Sequence, residues 1–335
     1  MKYKILLYFL IPILFFSCNN NLETKSPNVI IVITDDQGYG DIGYNGNPHL
    51  ITPNLDKFAG ESMRFNNFNV SPVCAPTRSS LLTGRYSLRT GVTDTYNGGA
   101  IMSSNEITLA EIFNENNYKT GIFGKWHLGD NYPSRPSDQG FQESLIHLSG
   151  GIGQVGDFTN YYKGSTSYYD PILWLNNKQE KYNGYCSDIF TDEAIKFIED
   201  NKDNQFFCYL SFNAPHTPLQ VPEKYYQMYK DIDPTTINGK SLEMTEKNIL
   251  DAKKIYGMVT NIDENFGKLI NKLDELNLKE NTIVIFMTDN GPQQPRYVSN
   301  LKGLKSQVYN GGIKVPFYFN FPKIHNEGID LDFFL

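Results

Sequence analysis

The 335 residues are 40% hydrophobic and 20% charged, an ordinary globular composition with enough apolar material for a large core and two subdomains. A net charge of −7 excludes the broad basic face of a nucleic-acid binder, so any anionic ligand must be drawn in by local cations. Four cysteines exclude a disulfide-rich scaffold.

The chain opens on Met1-Lys2-Tyr3-Lys4, continues as an apolar run over residues 5–16 that is too short to span a bilayer, and reaches Ser17-Cys18. A charged start, a short apolar middle and a small residue before cysteine read as a signal peptide over 1–18 ending in a relaxed bacterial lipobox, with Cys18 the lipidated residue. The protein is then exported, in the bacterial periplasm or as a lipoprotein at the outer membrane, and meets membrane through its lipid anchor alone. A plain cleaved signal that happens to end at a cysteine is the alternative. Residues 19–27 form a polar tether, and one domain occupies 28–335.

Residues 29–33, Val-Ile-Ile-Val-Ile, are a continuous β-branched run, which predicts a strand buried on both faces. Helix and strand then alternate: a helix over 108–116 before a strand at 119–123, a helix over 190–200 before a strand at 206–212, and a long amphipathic helix over 252–276 before a strand at 282–287. Alternation of this kind predicts an α/β fold, a mostly parallel central sheet sandwiched by helices. Residues 150–184, rich in Gly, Ser, Asn and Tyr, read as a long surface insertion of the kind that shapes a binding site. Its aromatics Tyr161, Tyr162, Tyr168, Tyr169 and Trp174 suit either the faces of sugars or internal packing. Cys186 and Cys208 sit among aromatics and read as buried structural thiols, with a bridge between them left open. Residues 317–321 alternate aromatics and are expected to join the main sheet.

Two predicted strands end alike, in Ile33-Thr34-Asp35-Asp36-Gln37-Gly38 and Met287-Thr288-Asp289-Asn290-Gly291. Ligands of open α/β sheets gather at the carboxyl ends of strands, so Asp35, Asp36, Asp289 and Asn290 can converge there. Four hard oxygens with several negative charges suit Ca²⁺, and less well Mg²⁺, rather than a thiolate-seeking metal. Either pair alone reads equally well as a helix cap or Asx turn; two matching pairs favour a metal. Between them, Ser71-Pro72-Val73-Cys74-Ala75-Pro76-Thr77-Arg78 turns from polar loop into helix and puts Cys74 near a helix N-terminus, where backbone N–H groups favour anions. On charge alone Cys74 is a candidate low-pKa nucleophile, with Arg78 one turn away.

Cys74-x-Pro76-x-Arg78 followed by Thr83-Gly84-Arg85 resembles the signature of the type I, formylglycine-dependent sulfatases, the arylsulfatase-like branch of the alkaline phosphatase superfamily. Further stretches match in order: Gly124-Lys125-Trp126-His127-Leu128-Gly129, Asn213-Ala214-Pro215-His216-Thr217-Pro218, Thr288-Asp289-Asn290-Gly291, and Lys302-Gly303-Leu304-Lys305 leading to Gly311-Gly312-Ile313-Lys314-Val315-Pro316. Alone, His127 or His216 would read as a structural histidine and Lys125 or Lys305 as a solvated charge; their order and motif context carry the reading.

The resemblance implies that a separate formylglycine-generating or anaerobic sulfatase-maturing enzyme oxidises Cys74 to formylglycine. It implies a Ca²⁺ held by Asp35, Asp36, Asp289, Asn290 and modified Cys74. One hydroxyl of the hydrated aldehyde would attack sulfur, and the other would expel sulfate and restore the aldehyde. Arg78 would stabilise the diol, His127 assist its deprotonation, Lys125 and Lys305 clamp the sulfate, and His216 serve the leaving oxygen; Ser149 is a looser match for a sulfate contact. The implied substrate is a sulfated small molecule or saccharide.

Lys302 and Asn310 stand where the family carries arginine and glutamate. The family continues into a smaller antiparallel C-terminal subdomain, which this chain, ending at Leu335, is expected to lack or hold only in part. A phosphonate monoesterase or phosphodiesterase using the same formylglycine motif is one alternative; a noncatalytic binder of sulfated glycans, or an inactive truncated chain, is a second, suggested only by the early stop.

Overall fold

A run of β-branched residues leaves no polar face for water, and β1 (Asn28–Thr34) lies at the centre of the sheet. The structure is a computed structural model describing residues 25–153, 167–237, 240–325 and 327–334. β1 pairs in parallel with β10 (Thr282–Thr288) on one side and β7 (Phe206–Ser211) on the other. β3 (Lys119–Lys125) and β4 (Glu143–His147) extend the parallel set beyond β7. Sequence period 2 does the sorting: Ile30 and Val32 face one core, Ile31 and Ile33 the other. The first core is covered by α1 (Pro53–Glu61), α4 (Cys186–Asp200) and α6 (Glu246–Glu275), the second by α2 (Cys74–Thr83) and α3 (Leu109–Glu115).

Both sheet edges are antiparallel in part. β11 (Phe317–Asn320) runs against β10 and β2 (Met63–Asn67), with β12 (Ile329–Phe334) beside β2. The ten-stranded order is β12-β2-β11-β10-β1-β7-β3-β4-β5-β6, where β5 is Ile172–Leu175 and β6 is Lys178–Lys181. A hairpin of β8 (Thr236–Ile237) and β9 (Lys240–Ser241) stands apart, and α5 (Glu223–Tyr229) packs on α6. The fold is thus the expected α/β sandwich, and residues 317–320 enter the main sheet as an antiparallel strand.

Several expectations change. Residues 150–184 are not all surface loop: β5 pairs onto β4 through Trp174 and Leu175, β6 pairs onto β5, and Tyr168 is wholly buried in the same core as Leu173. The helix expected at 252–276 starts at Glu246, where Thr245 Oγ1 accepts the Asn248 N–H. The helix expected at 190–200 starts at Cys186. Cys186 and Cys208 are buried and form no disulfide. The signal segment 1–18 with Cys18, most of the tether, and Tyr161 and Tyr162 lie outside the described residues. Among the described residues no helix is long and apolar enough to cross a membrane.

Candidate active site

The parallel register places Thr34 opposite Thr288, so the chain leaves β1 and β10 side by side and delivers Asp35-Asp36 against Asp289-Asn290. The turn is tight: Asp36 stands at φ 61, a left-handed conformation that its surroundings must impose, and its N–H donates to Asp289 Oδ1 at 3.2 Å. Cys74 is the first residue of α2, over the helix N-terminus, and Arg78 follows one turn later with only 1% exposure. Nε and Nη2 of Arg78 both donate to Asp289 Oδ2, at 3.0 and 2.8 Å, and Nη1 donates to Ser211 Oγ at the end of β7. Lys125 ends β3 and its Nζ meets Asp35 Oδ2 at 2.6 Å. Lys305 Nζ meets Asp36 Oδ1 at 2.5 Å, and His216 Nε2 lies 3.7 Å from Asp36 Oδ2. Nδ1 of His127 lies 3.4 Å from Cys74 Sγ.

Charge here is balanced under burial. Burial raises the Asp35 carboxyl against the pull of Lys125, and burial with the neighbouring Asp35 pushes Asp289 up to about 6 despite Arg78. Burial would raise Asp36 too, but Lys305 and His216 outweigh it and hold the group well below the usual carboxylate range. Burial drives His127 well below an ordinary imidazole, and His216 down to about 4.

Crowded carboxylates resist joint ionisation unless a cation sits among them, and the donor set fits one. Among the described residues, the buried Asp35 Oδ1, Asp36 Oδ2 and Asn290 Oδ1 receive no hydrogen bond, a costly arrangement for naked oxygens. Ligand atoms of Asp35, Cys74 and Asp289 lie within 4.8 Å of one another, and so do those of Asp35, Asp36 and His216. Hard oxygens dominate, which suits Ca²⁺.

Residues 27–328 match the family described as Sulfatase. The chain belongs to the sulfatase family. The ulvan-active sulfatase of Formosa agariphila is 30% identical over 91% of this chain and 58% of its own length; mouse arylsulfatase J is 29% identical over 91% and 50%. This sulfatase chain therefore spans between half and three fifths of the length of those curated relatives. Among solved structures, Ps i-CgsB in complex with k-i-k-neocarrahexaose superposes at a TM-score of 0.79, with 32% identity over 93% of this chain and 69% of the other. The phosphonate monoester hydrolase of Agrobacterium radiobacter, at 18% identity over 91% of this chain and 70% of its own, with a TM-score of 0.64, shares the fold.

Cys74, Arg78, Lys125, His127, His216, Lys305 and the four strand-end residues all meet at this one end of the sheet. Ser149, just past β4, is buried and lines an adjoining cleft with His127 and Gly150. The second half of the cysteine motif has structural partners: Gly84 ends α2 at φ 65, and Arg85 Nη1 reaches both carboxylate oxygens of Glu106 at 2.7 Å. Lys302 folds its ammonium over the Tyr309 ring at 4.1 Å. The segment carrying Lys305 is sewn to the β10 exit by Gly291 N–H to Gly312 O, an approach so close that a Cβ on Gly291 would fall 1.9 Å from the Gly311 oxygen.

Sequence reasoning missed the supports. Arg296 forks onto Asp41 and also donates to the Asp36 carbonyl at 2.7 Å, bracing the strand-end turn. Tyr168 Oη lies within reach of the Asn213 and His216 carbonyls, at 2.9 and 2.6 Å, so it braces the His216 loop rather than facing a ligand. The available signal was position: Asp41 and Arg296 each follow closely on a strand-end pair.

Proposed function

We propose that this chain hydrolyses a sulfate ester on a carbohydrate through a formylglycine at residue 74 and a bound Ca²⁺. The observation that carries it is the ring of Arg78, Lys125, Lys305 and three unsatisfied buried oxygens around one helix-start cysteine. Asp35, Asp36, Asp289 and Asn290 would hold the ion, which would offset negative charge on the transferring group. Formylglycine, made from Cys74 by a separate maturing enzyme, would supply a hydrated aldehyde whose one hydroxyl attacks and whose other releases the product.

The chain's own side chains divide the remaining work. Arg78 holds Asp289 in place and adds positive charge behind residue 74. Lys125 and Lys305 each spend one N–H on a carboxylate and keep others for sulfate oxygens. His127, neutral under burial, turns Nδ1 toward residue 74 to accept a proton. His216 bonds the Thr217 carbonyl through Nδ1, so Nε2, which faces Asp36, is the nitrogen left to serve the leaving oxygen, orienting it as an acceptor in the neutral ring and donating a proton only when the ring is protonated. Ser149 stands beside the cleft as a further polar contact. A saccharide substrate is supported by relatives named for ulvan or captured with neocarrahexaose. The lipobox reading supports an exported lipoprotein anchored at Cys18; Cys18→Ala should then leave the membrane fraction, and equal retention there would refute the anchor.

The test is coexpression with a maturing enzyme, peptide mass spectrometry of residue 74, and rates on paired sulfate, phosphate and phosphonate esters with and without Ca²⁺. Aldehyde or hydrate at Cys74 with preference for sulfate is expected. Activity with Cys74 wholly a thiol would sink the mechanism, and preference for phosphorus would move the chain to the phosphonate hydrolase reading.

A further inference from the structure

The two ring nitrogens of His127 have different partners, and the difference locates a proton. Nε2 lies 2.9 Å from the Thr95 carbonyl oxygen, and Nδ1 faces Cys74 Sγ. A carbonyl only accepts, so in the neutral ring Nε2 carries the hydrogen and Nδ1 presents its lone pair to residue 74. The reverse tautomer would set a lone pair against a lone pair at Thr95 and leave the reacting side without an acceptor. His127 itself stands at φ 61, with its N–H bonded to the Leu148 carbonyl, so its backbone has little freedom to compensate.

We propose that the loop 93–99, held in shape by Asp94, is the positioning element that fixes the tautomer and orientation of His127; this rests on residue 74 being the reacting group. Asp94 Oδ1 accepts the Thr95 N–H at 2.7 Å and lies 3.4 Å from Thr95 Oγ1, so one carboxylate holds the peptide unit next to the carbonyl that matters. The Gly99 carbonyl accepts the N–H groups of Thr93 and Asp94, closing the loop on itself. Asn97 and Gly98 both have positive φ, 52 and 81, and the Gly99 N–H bonds the Tyr96 carbonyl, which is the geometry of an Asn-Gly type I′ turn. A Cβ at Gly99 would come 2.8 Å from Asp94 Cβ, so glycine lets Asp94 tuck beneath the turn. Asp94 and Thr95 also line the cleft that contains Cys74, Lys305 and His216, where a leaving group would lie. Asp94 therefore acts through His127, at one remove from the reacting atoms.

Long-range ¹H–¹⁵N NMR of the matured full chain reads the tautomer directly, with His127→Gln assigning the signal among five histidines. The parent protein is expected to show hydrogen on Nε2, Asp94→Ala a mixture of tautomers, and Asp94→Asn the parent pattern, because the amide oxygen still accepts from Thr95. On an aryl sulfate, Asp94→Ala should lower kcat about tenfold with KM changed by less than about threefold, and Asp94→Asn should recover most of the loss. Hydrogen found on Nδ1, or an Asp94→Ala protein with parent kcat and parent spectrum, overturns the proposal. The expected tautomer in a matured protein that turns over no sulfate ester overturns the assigned reaction instead.

Discussion

The centre of the site and its rim are built by different kinds of backbone. At the centre, Asp35, Asp289, Arg78 and Lys125 come from strand ends and a helix start, are buried, and hold one another in ion pairs. At the rim, Tyr96 is 64% exposed on a loop closed by its own turn, and Gln293, Ser306 and Thr217 stand on other irregular segments around the same cleft. Strand ends fix direction to within the register of a sheet, whereas a loop tip tolerates substitution without disturbing the core. The buried charges of the centre therefore leave little room for change, whereas the exposed side chains of the rim can vary even where, as at the Thr95 carbonyl, the loop's backbone serves the centre.

The sharpest way to break this contrast is Asp289→Ala, which removes an oxygen of the proposed metal site and strands the buried Arg78. Activity should fall by at least about a thousandfold, and the fold should lose about 3–5 kcal/mol, the usual cost of orphaning a buried charge. Calcium calorimetry and thermal melts check both; full activity with a chelator present would refute a catalytic ion. Tyr96→Ala should be far milder: KM for a saccharide substrate shifts by about two- to fivefold, kcat holds, and the melting temperature is unchanged. A kcat loss as large as that of Asp289→Ala would erase the division between centre and rim.

An effect on stability alone lies outside the site and tests whether the core is as fully determined elsewhere. Asp263 of α6 caps α1 from across the fold, accepting the N–H groups of Asn54 and Leu55 and the Asn54 amide. Burial nevertheless pushes its carboxyl from 3.8 up to about 6. The folded chain thus keeps a proton that the unfolded chain releases, so this group's contribution is complete below about pH 4 and is lost as pH rises through about 6. The loss is no more than about 3 kcal/mol. Asp263→Asn should lack that slope when melts are compared from pH 4 to 6.5; parallel curves for the two proteins would show the carboxyl is already ionised.

Much of the fold and of the candidate site is legible in the chain's local patterns. Val29 to Ile33 can only be a central strand, because five β-branched residues in a row cannot face water on either side, and strand-end carboxylates in a parallel sheet share one edge by topology. Cys74, Arg78 and the strand-end oxygens are readable because each belongs to a short local motif. The edge strand β6 is not, since a polar segment such as Lys178–Lys181 carries no periodic signal and pairs only because β5 is already in place.

By itself, then, the amino-acid sequence determined the class of fold, the family and the motifs whose residues the fold gathers at one end of the sheet, since these depend on local pattern and on stretches a few residues long. Tertiary structure alone decided what supports them. Arg296 on Asp41, Tyr168 beneath His216, Asp263 on α1 and the Thr95 carbonyl on His127 join residues from 32 to 255 positions apart. Nothing in a local window records such pairings, because they exist only once hydrophobic burial has brought distant segments into register.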